Sequence, residues 1–278
     1  MDASPNAPAA PAAGRVLIRR HSLLVRLTHW INVAALFFLL GSGLQIFNAH
    51  PALYWGAKSD FDRPWVAMTA ERRGGELAGV TKIGPVRIET TGVFGYSDGQ
   101  RRGFPSWATL PSYRSLADGR RWHFFFAWLF VLNGLVYLAA GFAGGHVRRD
   151  LAPRRAELAP RHLWDEVKDH ARLRFPRDER AARYNTLQKL SYLVVIFVLL
   201  PLMLATGLAM SPGFNAVTHL VFEVFGGRQS ARTIHFISAV LIVLFVAVHL
   251  FMVLASGPLN NLRSMITGRY AIRKGEAR

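Results

Sequence analysis

A bundle of four membrane-spanning helices is the fold class this sequence predicts, and three observations carry it. Leu27–Phe47, Trp122–Ala143, Leu190–Met210 and Ile234–Ala255 are each long enough to cross a hydrocarbon core, and none contains Lys, Arg, Asp or Glu. Of the 278 residues, 51% are hydrophobic and only 18% charged, which excludes a disordered chain. The excess of 34 Lys and Arg over 17 Asp and Glu, a net charge of +17, falls wholly outside those stretches. Cysteine is absent, which excludes disulfides, cysteine-ligated iron–sulfur clusters, thiolate zinc sites, covalent c-type haem and thiol catalysis. Any metal must be held by His, Met or carboxylate.

Taken in order, residues 1–14 are mostly Ala and Pro without periodicity, and 1–20 reads as a disordered cytoplasmic tail. The first span is too long for a signal peptide, and no small-residue cleavage site follows it. The connection 48–120 mixes Gly and Pro with aromatics such as Tyr54, Trp55, Trp65, Phe94 and Trp107, too many for a linker. Its alternating run Val86-Arg87-Ile88-Glu89-Thr90 predicts a small hairpin. Such a loop is a self-packed cap over the bundle, a docking surface for a partner, or both. Between the second and third spans, Leu163, Trp164, Val167, Ala171 and Leu173 share a face opposite Arg161, Lys168, Asp169 and Arg172, which predicts a helix lying in the membrane interface.

Orientation follows from the basic flanks. Arg15, Arg19, Arg20 and Arg26 precede or open the first span, eleven Lys or Arg lie in 144–186, and Arg263, Arg269, Arg273, Lys274 and Arg278 follow the fourth. The connection Ser211–Thr233 carries only Arg228 and Arg232. Both termini are therefore expected in the cytoplasm and the loop 48–120 outside it. Basic segments facing anionic membrane lipid account for the charge, so no nucleic-acid partner is expected.

Four histidines sit in or at the edge of the spans, where an imidazole is costly without a partner: His29, His123, His235 and His249. His235 and His249 are fourteen residues apart, about 3.9 turns and about 21 Å along one face of one helix. By depth, His29 opens the first span at the level of His249, and His123 opens the second at the level of His235. Two His–His pairs then span adjacent helices, one per leaflet, and each suits the two axial positions of a b-type haem iron. Gly43 lies fourteen residues after His29, at the depth of the other pair; Gly134 and Gly207 are further positions without a side chain, suited to a porphyrin or to close helix packing. Arg26 and Arg232 each precede a histidine by three residues, while Arg120 and Arg121 flank His123; haem propionates and interfacial snorkelling are both uses for them. A proton path or transporter would require acidic partners in the spans, and there are none. His21, His50, His146, His162, His170 and His219 are expected to be surface residues.

These residues resemble the cytochrome b561 family of bacteria, including the cytochrome b subunits of nickel–iron hydrogenases and the gamma subunit of formate dehydrogenase. The similarity lies in Arg26-Leu27-Thr28-His29-Trp30, Arg121-Trp122-His123, the His235 and His249 spacing, and Tyr184-Asn185-Thr186-Leu187-Gln188-Lys189. The resemblance implies a cytochrome b561-like domain over 21–278 in the bacterial inner membrane, with two haem b, ligated by His123 with His235 and by His29 with His249. It implies an electron-transfer subunit of a respiratory-chain oxidoreductase, with no catalytic residue of its own, exchanging electrons with quinone. The formate dehydrogenase subunit has a similar Tyr-Asn-x-x-Gln-Lys stretch at its quinone site, which implies that role for Asn185, Gln188 and Lys189; Leu187 departs from the small residue there, and Asn185 and Gln188 also suit a helix cap. The long loop, with Pro51-Ala52-Leu53-Tyr54-Trp55-Gly56 and Asp118-Gly119-Arg120-Arg121-Trp122-His123, resembles members paired with extracytoplasmic molybdopterin oxidoreductases rather than hydrogenases. A stand-alone superoxide:quinone oxidoreductase is the alternative within the family, and a non-haem transporter the alternative outside it. The topology predicts that a reporter fused after Arg278 is active only inside the cell; activity outside would invert the orientation.

Overall fold

Long apolar runs free of charge and of helix-breaking pairs form continuous helices, because in hydrocarbon every backbone N–H and C=O must be satisfied within the segment. The computed structural model describes residues 15–175, 183–215 and 223–273. Among these, four helices are long and apolar enough to cross a membrane: α1 (Leu23–Phe47), α2 (Leu116–Ala143), a third span over Thr186–Met210, and α6 (Arg228–Ala255). The third span is built from α4 (Thr186–Val194), a π-helical turn at Val195–Leu199 and α5 (Leu200–Met210). Pro201 explains the turn: it lacks an N–H and its ring crowds the preceding carbonyls, so the helix widens just before it. The predicted fold class is the observed one. Each helix starts before its predicted span, as where Ser115 caps α2 by accepting from Asp118 N at 3.2 Å.

Burial along the spans is inverted relative to a soluble protein. Phe125, Trp128, Leu135 and Leu254 are exposed, whereas Ser42, Gln45, Asn133, Thr206, Thr233 and Ser238 are buried. Lipid solvates the large apolar side chains, and small polar residues let helix backbones approach and bond across. Asn133 on α2 donates to the Thr28 carbonyl at 2.8 Å and to Asn32 Oδ1 at 2.7 Å on α1.

The chain divides into two units. One comprises the described residues of Met1–Leu27, Gly141–Tyr192 and Val248–Arg278. In it β1 (Arg15–Arg19) pairs antiparallel with β8 (Arg269–Arg273), in the register Leu17↔Ala271, over the buried Tyr270 and Ile272. The expected tail therefore gives way to a strand at Arg15, because its alternating apolar residues find a partner; residues 1–14 lie outside the described residues, as do His219, Lys274 and Arg278. Helix α7 (Pro258–Thr267) ends at Gly268, whose φ of +80° and a Cβ that would sit 2.9 Å from the His21 carbonyl both require glycine. His21 is buried, not a surface residue as expected. Helix α3 (Pro160–Ala171) forms with Trp164 and Val167 exposed, while Leu173, expected on the same face, lies beyond its end at a φ of +52° because the helix stops at Ala171.

The second unit, Thr28–Ala140 and Leu193–Ala247, contains the long loop. The predicted hairpin is part of a larger antiparallel sheet in the order β2 (Ala52–Leu53), β3 (Val66–Arg73), β4 (Glu76–Ile83), β5 (Val86–Glu89). Gly74 and Gly75, both at positive φ, make the two-residue turn that joins β3 to β4. All four residues of β5 are exposed, so its alternation marks an edge strand rather than a half-buried one. A second ribbon pairs β6 (Gly95–Ser97) with β7 (Gln100–Arg102).

The loop is fastened to two spans. Phe47, Leu53, Val66, Met68 and Phe104 form one core, with Phe236 of α6 packed on it. Asn48 holds both backbone groups of Phe104, accepting from its N–H at 2.7 Å and donating to its carbonyl at 3.2 Å. Buried Arg102 donates to the Phe104 carbonyl at 2.6 Å, Thr109 Oγ1 at 3.0 Å and the Ser112 carbonyl at 3.2 Å. The Gly56 carbonyl accepts from Gln229 N and Ser230 N, both at 3.1 Å, and so caps the start of α6. Asn48→Ala should leave the buried Phe104 N–H unsatisfied at about 1–3 kcal/mol, while the Phe104 carbonyl keeps its Arg102 bond. The expected readout is a lower apparent Tm in detergent and faster proteolysis within 48–120; unchanged values would mean the loop is held elsewhere.

Candidate functional site

Two of the four predicted histidines are brought together inside the second unit. His123 on α2 and His235 on α6 have ring centres 6.3 Å apart and ring planes at 60°. A third and a fourth helix set their orientation. Ser42 Oγ of α1 lies 3.1 Å from His123 Nδ1, and Thr206 Oγ1 of α5 lies 3.0 Å from His235 Nδ1. Each hydroxyl donates its single proton to the carbonyl four residues back, Phe38 or Leu202, at 2.6 Å. The hydroxyl oxygen can then only accept, so both imidazoles donate from Nδ1 and keep the lone pair on Nε2.

Glycines follow both hydroxyl residues. A Cβ on Gly43 would stand 3.4 Å from His123 Cε1, and one on Gly207 would stand 3.7 Å from His235 Cε1. Two of the three glycines singled out in the sequence therefore lie against imidazoles; a Cβ on Gly134 meets nothing within 4 Å. Phe38 of α1, stacked on Phe126 at 4.1 Å and on Trp122 at 5.4 Å, packs α1 against α2 beside this pair.

The pair fits a haem iron. Two metal–imidazole bonds of about 2 Å, with half a ring on either side, put ring centres about 6 Å apart, close to the 6.3 Å observed. Two neutral imidazoles with Nε2 lone pairs are the donor set such an iron takes, the porphyrin supplying its other ligands. Among the described residues no group of three or more His, Asp and Glu gathers to hold a bare ion.

The remaining predicted residues are distributed as follows. His29 lies in the second unit, with its ring edge-on to Trp30 at 5.3 Å, and His249 lies in the first, half-buried on α6. Arg26 donates to the Ile266 carbonyl at 2.5 Å in the first unit. Arg232 donates to the His50 carbonyl and covers the Phe47 ring at 5.3 Å in the second. Arg121 pairs with Asp118 at 3.4 Å, and Arg120 lies over the Phe124 ring at 5.7 Å. His50 stacks on Tyr54, with Nε2 3.0 Å from the phenol oxygen, and burial together with Arg232 holds its pKa below the usual histidine value.

Asn185, Gln188 and Lys189 occupy one cluster in the first unit. Asn185 Oδ1 accepts from Gln188 N at 2.8 Å and Gln188 Oε1 accepts from Asn185 N at 3.3 Å, a reciprocal capping box that starts α4. Lys189 is buried and pairs with Glu157 at 2.8 Å. Glu166 accepts from Thr186 N at 3.2 Å and Leu187 N at 3.0 Å, placing a carboxylate on the positive end of the helix. His170 donates from Nδ1 to the Glu166 carbonyl at 2.8 Å, so its Nε2 accepts from the Asn185 amide at 3.1 Å. His162 lies 3.2 Å from Glu166 Oε1. His162, Glu166 and His170 thus join a cluster in which the sequence reading did not place them; their i, i+4 spacing on α3 was the available signal.

A membrane bundle that apposes two such imidazoles in its interior has the makings of a membrane-bound b-type cytochrome. The chain belongs to the prokaryotic cytochrome b561 family, whose sequence signature matches residues 20–268. It is also similar to the putative protein-methionine-sulfoxide reductase subunit YedZ1 of Azospira oryzae, 26% identical over 237 residues, or 84% of this chain and 89% of the relative. No solved structure matches it. The chain is accordingly a multi-pass membrane protein that carries haem b and serves in electron transfer. Gly43→Leu should force a branched side chain into the His123 ring and lower the haem recovered per chain, whereas Gly43→Ala, whose Cβ stands 3.4 Å from Cε1, should keep it. Equal haem in both variants would separate Gly43 from the site.

Proposed function

We propose that this protein carries electrons between membrane quinone and an extracytoplasmic oxidoreductase through two b haems, one held by His123 and His235 and the other by His29 and His249. A bis-histidine b haem supplies one-electron redox chemistry within the bilayer. The observation that carries the reading is the 6.3 Å apposition of His123 and His235, on the helices the depth argument selected. The second pair rests on spacing in the sequence. Arg232 and Arg26 are the cations for propionates: each guanidinium has five N–H groups and spends only some of them on the carbonyls already described. The loop 48–120 faces the partner, in the bacterial inner membrane with both termini cytoplasmic.

We put quinone at the start of α4, where Asn185, Gln188 and Lys189 offer polar groups at the cytoplasmic end, on the level that span depth in the sequence assigns to His29 and His249. Its carbonyl would compete with His170 for the Asn185 amide. The partner is read as a molybdopterin enzyme, and the name of the Azospira relative supports a reductase rather than an oxidase, so that electrons run outward from quinol. A sheet fastened to α1 and α6 favours a partner-bound subunit over a stand-alone superoxide:quinone oxidoreductase, which has no use for it.

A pyridine haemochrome assay on purified protein should give two haems per chain, falling to one in His235→Ala. One haem in the unaltered chain would remove the second pair. Asn185→Ser, which keeps a capping oxygen but removes the amide, should slow quinol-driven haem reduction with both haem spectra unchanged; an unchanged rate would move the quinone site elsewhere.

A further inference from the structure

The His123 and His235 environments are built alike from two unrelated stretches of chain. Ser42-Gly43 on α1 and Thr206-Gly207 on α5 are both a hydroxyl residue followed by glycine, each meeting one imidazole. In both, the hydroxyl bonds back to the carbonyl at i−4 at 2.6 Å, with the i−3 carbonyl, Leu39 or Met203, at 3.3 and 3.2 Å. In both, the glycine leaves room for Cε1 of the ring, at 3.4 and 3.7 Å from where a Cβ would be. Ser42 and Thr206 are themselves wholly buried, so neither hydroxyl has water as an alternative partner.

A helix-packing role alone requires none of this coincidence. Back-bonded Ser and Thr occur throughout membrane helices, but an oxygen whose proton is already committed is a pure acceptor, and in both places it is aimed at Nδ1. That selects one tautomer. It also limits rotation of the ring about its Cβ–Cγ bond, and the adjacent glycine allows the ring to stand at that angle. An acceptor on Nδ1–H raises the electron-donating power of Nε2, which favours the more highly charged oxidised state of a metal bound there.

We infer that Ser42-Gly43 and Thr206-Gly207 are paired positioning clamps that fix the tautomer and ring angle of His123 and His235 and hold down the reduction potential of the haem these ligate. The inference rests on the assignment of those two histidines as ligands. Ser42 and Thr206 are positioning residues: they act on the iron only through the imidazoles.

The test uses the full-length protein with haem loaded, in Ser42→Ala and Thr206→Val variants, singly and together. Haem per chain should match the unaltered protein, while redox titration shows one haem moved to higher potential and the low-temperature EPR signal of that haem shifted, the other haem unchanged. The double variant should move further than either single one. Ser42→Thr and Thr206→Ser, which retain a hydroxyl, should restore the unaltered potential. Unchanged potential and EPR at full haem content would overturn the clamp role and leave the hydroxyls as helix-packing groups. Should the Ala and Val variants accumulate without haem, the hydroxyl-retaining pair decides: full haem at the unaltered potential supports the clamps, and haem loss there too overturns them. A full complement of haem in His123→Ala or His235→Ala would instead overturn the ligand assignment, an outcome the clamp variants do not produce.

Discussion

An imidazole inside hydrocarbon always carries one N–H, and that N–H must find an acceptor that is not water. Much of the second unit follows from meeting this demand twice. Here the acceptor is in each case a hydroxyl branching off a neighbouring helix, and the helix bearing that hydroxyl must come within about 3 Å of the ring. Glycine beside the hydroxyl makes such an approach feasible. Four helices are thus required around two rings: α2 and α6 to carry them, α1 and α5 to orient them. The third span carries no histidine among its residues, yet it has a place in the arrangement through Thr206.

The long loop obeys a related constraint at the end of the same helices. The first turn of a helix leaves N–H groups unpaired, and here the Gly56 carbonyl answers two of those on α6. Asn48, at the end of α1, continues the pattern by binding both backbone groups of Phe104. The sheet is therefore not a separate module hung from the bundle. Its core shares Phe47 and Phe236 with the spans, and Phe236 is the neighbour in sequence of His235.

Sequence made the four spans plain because twenty uncharged apolar residues have few other uses, and helical rise alone put His123 and His235, which the structure apposes, at one level. The ends of the helices were hidden: α2 begins at Leu116 rather than Trp122 because a Ser115 cap and an Arg-rich turn extend it, and hydropathy does not register caps. Ser42 and Thr206 were hidden for a different reason. In a membrane span a small hydroxyl residue reads as packing, and only the imidazole across the interface, 81 or 29 residues away, reveals its direction. The strand at Arg15–Arg19 was missed because its partner is at the other end of the chain. His162 and His170 read as solvent-facing because the i, i+4 spacing that groups them with Glu166 does not say which element that face meets, here the start of α4.

The fastening of the loop also sets an order of events in biogenesis. Gly56 N–H bonds Ser230, the Tyr54 carbonyl accepts from Thr233, and the His50 carbonyl accepts from Arg232, partners 174, 179 and 182 residues apart. During synthesis the loop segment leaves the ribosome while three of the four spans are still unmade. Closure of so long a contour carries its entropic cost before any of these bonds can form. The loop therefore reaches its final form only after α6 has been inserted, when the histidine that α6 carries also first becomes available. Completion of the extramembrane surface and completion of the His123 and His235 pair are thus a single, late event in assembly, and a chain truncated before the fourth span would have neither.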